Sequence, residues 1–258
     1  MSVKDNVLMI LSANKGEYFS GEDIASNLKV SRNAVWKSVK ALTNDGYKII
    51  GVSNKGYCLC EDNDVLSKEI IQKYLRREVK AKTDIDVYKT IDSTNTRLKA
   101  MAANGEKEWK ILVSEEQTNG RGRLNRVFYS PKNSGIYMSI LLKPDVCSSE
   151  ALFITTMAAV SVAEAIEKII NVDTKIKWVN DIYCNNKKAC GILTEASVNL
   201  ETGKLDYAIL GIGINVRKPE NDFPDDIKNI ATGLIDNATY DSDDLRCKIV
   251  AEVINNVD

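Results

Sequence analysis

The sequence predicts an α+β protein: a short helical segment closed by a β-hairpin, then a larger domain built on a mixed or mostly antiparallel sheet. Three observations predict it. Apolar residues recur at helical spacing three times within the first 45 residues, and two short strand-like runs flank a strong turn directly afterwards. From residue 85 onward, strand-like runs outnumber helical ones and the helices are interspersed among them, the pattern of an α+β sheet.

The N-terminal elements follow from local signals. Val3, Val7, Leu8, Ile10 and Leu11 share one helical face, and Asn14 to Gly16 end that helix. Ser20 reads as the N-cap of a second helix, Gly21 to Leu28, with Asp23 placed for a near capping box. After the short turn Lys29-Val30, Ser31 caps a third helix running to Asn44, with Ala34, Val35, Val39 and Leu42 on its apolar side and Gly46 as its stop. Tyr47 to Val52 and Tyr57 to Cys60 then form a hairpin around Ser53-Asn54-Lys55-Gly56.

Three helices with a tight turn before the third, followed by a hairpin, make a winged helix-turn-helix. Ser31, Arg32, Asn33, Trp36, Lys37 and Lys40 lie at the start or off the apolar face of the third helix, and Lys55 lies at the hairpin tip. Residues at the start of such a helix meet base edges in a major groove, and lysines meet phosphates. A small helical domain serving protein contacts is the alternative. Charge leans toward DNA: residues 1–60 hold eight Lys/Arg against five Asp/Glu, a net of +3, and the remainder holds 27 against 31, a net of −4.

Composition also excludes. The chain has no histidine, which removes Ser-His-Asp and Cys-His catalysis and every metal site that needs an imidazole. Lys, Arg, carboxylates, amides and hydroxyls remain, an inventory suited to reactions driven by positioning and charge neutralisation. The six cysteines show neither metal spacing nor a dense disulfide framework and are read as reduced thiols. No run approaches the ~18 apolar residues of a membrane span, and Met1 to Leu11 lacks the shape of a signal peptide, so the expectation is a cytoplasmic protein with no membrane partner.

Residues 61–82 are polar and charged apart from a helical stretch, Lys68 to Leu75, and read as a connection. The expected division is therefore 1–62 for the DNA-binding domain, 63–82 for the connecting segment and 83–258 for the second domain. In the latter, Ile85 to Ile91 is a strand, and Asp92-Ser93-Thr94-Asn95 opens a helix closed by Asn104-Gly105. Strands are expected at Ile111 to Glu116, Gly135 to Lys143, Lys175 to Val179, Lys188 to Ser197 and Leu205 to Val216. Ser149 to Asn171 reads as a long, largely apolar helix and Asp241 to Val257 as a final amphipathic one.

Between the second and third of these strands lies the loop Gln117-Thr118-Asn119-Gly120-Arg121-Gly122-Arg123. Glycine lets backbone approach a ligand, and arginine offers a planar fork to carboxylate or phosphate. A solvated basic turn fits this motif equally well, and it lacks the Gly-Lys-Ser/Thr ending of a Walker A loop. Lys177-Trp178-Val179-Asn180-Asp181, Lys187-Lys188 with Gly191-Ile192-Leu193-Thr194-Glu195, and Gly211-Ile212-Gly213-Ile214-Asn215 are further segments, each weak by itself.

Taken in order, Ser93-Thr94-Asn95, Gln117, Gly120 to Arg123, Lys177 to Asp181, Lys188 with Gly191-Ile192-Leu193, and Gly211 to Asn215 resemble the biotin protein ligases over nearly the whole chain. With the winged helix, the sequence looks like the bifunctional bacterial type, both ligase and biotin-operon repressor. The resemblance implies a catalytic domain related to class II aminoacyl-tRNA synthetases, with biotin, ATP and Mg²⁺ as ligands and biotinyl-5′-AMP as intermediate and corepressor. It implies a biotin carboxyl carrier protein and operator DNA as partners, and a homodimer that depends on the adenylate. Ser93, Thr94, Asn95 and Gln117 would then receive the ureido ring, with Gly122 and Gly191 also beside biotin. Arg121, Arg123 and Lys188 would neutralise carboxylate and α-phosphate, and Lys177 is a second phosphate candidate. Phe128, Asn180 and Asn215 would face the nucleotide, Asp181 and Asn215 the Mg²⁺, and Asp181 would assist the acceptor lysine.

Val179 and Phe128 stand where the family often has Pro and Trp. The family also implies a small β-barrel after the last helix; the sequence ends at Asp258 without it, and the expectation is either a truncated version or reduced ligase activity. Two other readings fit the same residues: a non-enzymatic, ligand-responsive regulator, and a lipoate–protein ligase-like enzyme.

Overall fold

The structure is a computed structural model that describes residues 2–61, 63–235 and 243–258. The chain divides into two compact units, Met1–Ile70 with Asp241–Leu245, and Ile71–Tyr240 with Arg246–Asp258.

In the first unit, α1 (Val3–Ala13), α2 (Gly21–Leu28) and α3 (Arg32–Asn44) start where their caps dictate. Ser2 and Asp5 form a reciprocal capping box, and the hydroxyls of Ser20 and Ser31 accept from the backbone N–H groups of Asp23 and Ala34. Lys29 takes a left-handed conformation that ends α2 and turns the chain sharply into α3. The three helices close on Val7, Leu8, Leu11, Ile24, Ala25, Val35, Val39 and Leu42, with Tyr47 and Leu59 sealing the base.

The hairpin is shorter than predicted: β1 is Ile49–Val52 and β2 is Gly56–Leu59, in antiparallel register Ile49↔Leu59 to Val52↔Gly56. Tyr47 goes to the core instead of the ladder. A third strand-like contact flanks the hairpin, because Phe19 and Tyr57 exchange both backbone hydrogen bonds, at 2.9 and 2.8 Å.

Helix α4 (Lys68–Tyr74) spans the division between the units and is followed by α5 (Arg77–Lys82), a helix not separated from the connection in the sequence. Seven strands make one sheet in the order β3-β4-β5-β9-β8-β7-β6: β3 (Asp84–Tyr88), β4 (Lys110–Ser114), β5 (Gly135–Leu142), β6 (Lys175–Lys177), β7 (Asp181–Cys184), β8 (Lys187–Val198) and β9 (Leu205–Asn215). β3 and β4 are parallel and every other pairing is antiparallel, so the mixed sheet is as expected.

One strand was not anticipated. Asp181–Cys184 forms β7 and turns into β8 through Asn185 and Asn186, both at positive φ (51° and 62°), the two-residue turn that asparagine tolerates. The strand expected at Lys175 to Val179 stops at Lys177, and the Trp178–Val179 peptide beyond it is cis.

Helix α6 (Thr94–Ala103) packs Leu98 and Ala102 onto Leu112, Leu141 and Ile209 of the sheet. Helix α7 (Ala151–Ile170) crosses β6 to β9 and begins after a 3-10 turn at Ser148–Glu150, two residues later than predicted. Helix α8 is Leu245–Val257; the predicted start at Asp241 lies outside the described residues, and Asp244 is in a turn with φ 55°. It is not simply amphipathic. Leu245, Arg246, Cys247, Ile249, Val250, Ala251, Val253 and Ile254 are all buried, which takes in more than one face. Its last turn is tied down by Ser161 Oγ donating to Asn256 O and Asn256 Nδ2 donating to Ser161 O, both at 3.1 Å.

Gly56 is the backbone hinge of the hairpin. Its φ is +100°, and a Cβ there would sit 1.9 Å from the Phe19 carbonyl oxygen. Gly56→Ala is expected to break the Phe19–Tyr57 exchange and destabilise the first unit by about 2 kcal/mol or more. Urea denaturation followed by the Trp36 signal measures this, and an unchanged midpoint would contradict it.

Candidate active site and nucleic-acid interface

A cavity of about 440 Å³ opens in the second unit, over the face of the sheet formed by β8 and β9. Two glycines of β9 make room for it. A Cβ on Gly211 would lie 2.1 Å from Asn95 Oδ1, and one on Gly213 would lie 2.4 Å from the Phe128 ring. Asn95 and Phe128 therefore occupy space that any larger residue would fill. Gly191 on β8 touches the same ring and the Lys188 side chain, at 3.2 and 3.1 Å from its would-be Cβ.

One end of the cavity is a chain of neutral polar groups. Ser93 caps α6, its hydroxyl accepting from Thr96 N at 3.3 Å. This leaves the backbone N–H of Thr94 free to point outward, and with its own hydroxyl it donates to Gln117 Oε1, at 2.9 and 3.1 Å. Gln117 Nε2 donates to Ser130 Oγ at 3.0 Å, and Ser130 donates to Phe128 O at 2.8 Å. Behind them Ser139, fully buried, donates to Asn95 Oδ1 at 2.6 Å and lies 2.7 Å from the Thr94 hydroxyl. These bonds fix the amide orientation of both Asn95 and Gln117.

The same cavity also carries charge. The loop of Gly120 to Arg123 is exposed at both arginines but has a fixed backbone: Phe128 N donates to Gly120 O and Gly122 N to Arg126 O, at 2.9 and 2.7 Å, and Arg121 bridges Val127. Gly120 is required, because a Cβ would meet Phe128 O at 2.4 Å. Arg123 Nη1 donates to Asn180 Oδ1 at 3.0 Å, and Asn180 Nδ2 donates to Ile192 O at 2.9 Å. Lys188 Nζ lies 2.7 Å from Asp181 Oδ1, an ion pair by distance but without hydrogen-bond alignment at that oxygen. Arg121 Nη1 is 3.9 Å from Glu195 Oε1. These three cations face two carboxylates and Arg126 also lines the cavity, leaving the mouth receptive to an anion.

Most residues singled out in the sequence line this cavity: Ser93, Thr94, Asn95, Gln117, Arg121, Gly122, Arg123, Phe128, Asn180, Asp181, Lys188, Gly191 and Asn215. Lys177 does not. It ends the edge strand β6, its ammonium bonded to the Tyr183 hydroxyl at 3.2 Å and resting over that ring. Two groups were missed. Ser130 and Ser139 carried no local signal beyond being small and polar. The stretch holding Phe223, Ile227, Ile230 and Ala231 walls the Asn215 side, tied to the sheet by Lys188 N donating to Ile230 O at 2.7 Å and Leu234 N to Asn215 O at 3.0 Å.

Two further groups near the site stay neutral. Burial pushes the Cys190 thiol far up, with Lys188 opposing and Asp181 adding to the shift, so it is no nucleophile. Burial likewise pushes the Tyr137 hydroxyl up against the lowering effect of Ser134, and Tyr137 donates to Pro131 O at 2.9 Å while meeting Phe128 edge-on.

In the first unit, Arg32, Asn33, Trp36, Lys37 and Lys40 are exposed on α3, and Lys55 is exposed at the hairpin. Lys40 lies over the Trp36 ring at 5.3 Å and Lys55 over Tyr18 at 5.8 Å. The Ser31 hydroxyl oxygen is engaged as a cap, and Arg32 Nε is 3.4 Å from Glu22.

Residues 87–215 match the family model described as the Biotin/lipoate A/B protein ligase family, and residues 4–58 match an HTH domain. The "Bifunctional ligase/repressor BirA" of Bacillus subtilis is 38% identical over 233 residues, 90% of this chain and 71% of that protein. The Escherichia coli protein of the same name is 32% identical over 83% of this chain and 65% of its own length. Among solved structures, biotin protein ligase from Aquifex aeolicus in complex with biotin and ATP aligns with a TM-score of 0.55 at 33% identity, covering 67% of this chain and 70% of that one.

The buried hydroxyl of Ser139 is the joint of the polar chain. Ser139→Ala leaves Asn95 Oδ1 without its donor, and the expected loss in unfolding free energy is about 1–3 kcal/mol. Equilibrium denaturation measures it, and a loss under about 0.5 kcal/mol would show that the joint carries no strain-free hydrogen bond.

Proposed function

The chain belongs to the biotin/lipoate A/B protein ligase family, and we propose that it activates biotin with ATP as biotinyl-5′-AMP, passes the biotinyl group to a lysine of a biotin carboxyl carrier protein, and represses biotin genes through its first unit. The observation that carries the enzymatic part is the lining of one cavity, which combines the neutral hydrogen-bonding groups of Thr94, Asn95 and Gln117 and the cations Arg121, Arg123 and Lys188 with the apolar Phe128, Met138 and Ile212. Biotin offers a match for each: a cyclic urea, a carboxylate and an apolar tail.

The chemistry asks for little acid–base help. A biotin carboxylate oxygen attacks the α-phosphorus of ATP, the new P–O bond forms and pyrophosphate leaves. Arg121, Arg123 and Lys188 offset the mutual repulsion of two anions and stabilise charge on the phosphoryl oxygens. In the second step the neutral ε-amine of the acceptor lysine attacks the acyl carbon and AMP leaves. Asp181, 2.7 Å from Lys188, is the proposed group assisting loss of the amine proton. An absence of histidine costs this reaction nothing, because the first nucleophile is already an anion.

Mg²⁺ fits the donor set only as a companion of the nucleotide. Among the described residues no three His, Cys, Asp or Glu side chains come together as a metal cage. Asp181 Oδ1 lacks a hydrogen-bond donor in line, and with the Asn215 amide oxygen it would hold the ion, which supplies charge neutralisation to the phosphates.

DNA binding is assigned to residues 1–62 and catalysis to 83–258, joined by 63–82. A repressor reading a two-fold operator would act as a homodimer, here coupled to the adenylate as corepressor. ATP, carrier protein and DNA meet in the cytoplasm, and among the described residues no helix is long and apolar enough to cross a membrane.

Pyrophosphate release with ATP and either biotin or lipoate tests the ligase. Release with biotin alone is expected, release with lipoate alone would assign the sibling activity, and release with neither would leave a ligand-sensing regulator. For the first unit, operator affinity should fall linearly with salt on logarithmic axes. Lys37→Ala with Lys40→Ala should flatten that slope by about 2, one per lost phosphate contact, and a slope unchanged by the pair would remove α3 from the interface.

A further inference from the structure

Glu195 lies on β8, and its carboxylate is shared three ways. Oε2 accepts from Asn95 Nδ2 at 3.1 Å, Oε1 accepts from Lys99 Nζ at 3.4 Å, and Arg121 Nη1 stands 3.9 Å from Oε1. Its side chain is only 18% exposed, whereas Lys99 and Arg121 are 49% and 40% exposed. Glu195 is not among the residues lining the cavity, but Asn95 and Arg121 both are. Its charge therefore reaches a ligand through Arg121, and it is a positioning residue.

The three contacts are unequal in a telling way. At 3.9 Å, with a part-exposed guanidinium, the Arg121 pair is long and weakly held. Losing it does not orphan Glu195, because Lys99 and Asn95 stay in place; a mostly buried carboxylate left alone would be costly. Arg121, among the described residues, has no shorter ion pair. It can therefore exchange one anion for another at low cost, and the loop that carries it is held by backbone bonds that this exchange does not touch.

We propose that Glu195 is a resident counter-anion for Arg121, a placeholder that the ligand's carboxylate or phosphate replaces; the identity of that ligand rests on the reading given above. Two consequences follow. Anionic ligands compete with Glu195 and bind less tightly than the three cations would otherwise allow, and uncharged ligands of the same shape do not. The same carboxylate keeps Asn95 oriented at the neutral end throughout.

Glu195→Gln separates these roles, since the amide keeps an acceptor for Asn95 Nδ2 and loses the charge. Calorimetry on the full chain with biotin, with its uncharged alcohol biotinol, and with inorganic pyrophosphate reads the effect. Biotin and pyrophosphate are expected to bind Glu195→Gln about three- to tenfold more tightly than the native chain, with biotinol unchanged. Glu195→Asp, which draws the charge back by one methylene, should fall between the two. In an Arg121→Ala background the gain should vanish. Pyrophosphate needs no biotin recognition, so a native chain that binds neither biotin nor biotinol would refute the ligand reading and still leave the Glu195 effect measurable. Equal or weaker pyrophosphate binding by Glu195→Gln, no measurable binding by either protein, or a gain that persists without Arg121 would each overturn the proposal. A purely structural Glu195 would weaken biotin and biotinol alike.

Discussion

The close approach of Asn95 and Phe128 to the glycines of β9 is the constraint on which the site depends. Each sits where a side chain on Gly211 or Gly213 would be, so the sheet face is open at two alternate residues of one strand and nowhere filled from below. With period-two alternation, residues 211, 213 and 215 face the same side, and that side carries the cavity, whereas Ile214 is buried and is not among its lining residues. Everything else uses this space. Phe128 laid against Gly213 brings the arginine loop over the sheet, because Phe128 N donates to Gly120 O of that loop while Phe128 O accepts from the Ser130 hydroxyl. Asn95 laid against Gly211 brings the start of α6 down onto β5 and β8, where Ser139 and Glu195 hold it.

Charge is arranged on the same principle of shared partners. Arg123 is paired with a neutral amide, Lys188 with Asp181 and Arg121 with Glu195, so each cation near the mouth is held without being fully neutralised. The chain has no histidine, and burial pushes the Cys190 thiol and the Tyr137 hydroxyl up. The cavity offers held cations in place of a histidine, cysteine or tyrosine proton donor. That suits a reaction between two anions, where steady electrostatic stabilisation matters more than proton movement.

Legibility in the sequence tracked the range of the forces involved. Caps are local, and Ser20, Ser31 and Ser93 stand where their helices begin. Glycines that serve close approach were visible as oddities on a strand, although what approached them was not. β7 escaped because four residues between Asn180 and a pair of asparagines look like a turn until the partner strand is known. Lys177 looked like Lys188, a cation beside a strand end; only the pairing shows that one ends the edge strand against Tyr183 while the other reaches the cavity beside Asp181. Ser139 and Glu195 act across distances of 44 and 100 residues from Asn95, and no spacing rule joins them. The wall from Phe223 to Ala231 was silent for the same reason.

The fixed amides also bear on ligand choice. Gln117 has its carbonyl oxygen engaged by both the N–H and the hydroxyl of Thr94 and its amide nitrogen by Ser130, so one N–H remains, at a defined direction. A cyclic urea offers a carbonyl within a rigid ring, which can accept that N–H without turning the amide. A dithiolane ring of lipoate offers neither donor nor strong acceptor, and placing it there would strip water from the polar chain of Thr94, Gln117 and Ser130 with nothing in return. Leaving buried polar groups unpaired is how a hydrogen-bonding site rejects an apolar ring of similar size, by factors larger than a hydrophobic pocket achieves against an extra methylene. On the proposed reading, selectivity thus resides in the neutral end, while Arg121, Arg123 and Lys188 would serve any acid whose tail reaches them.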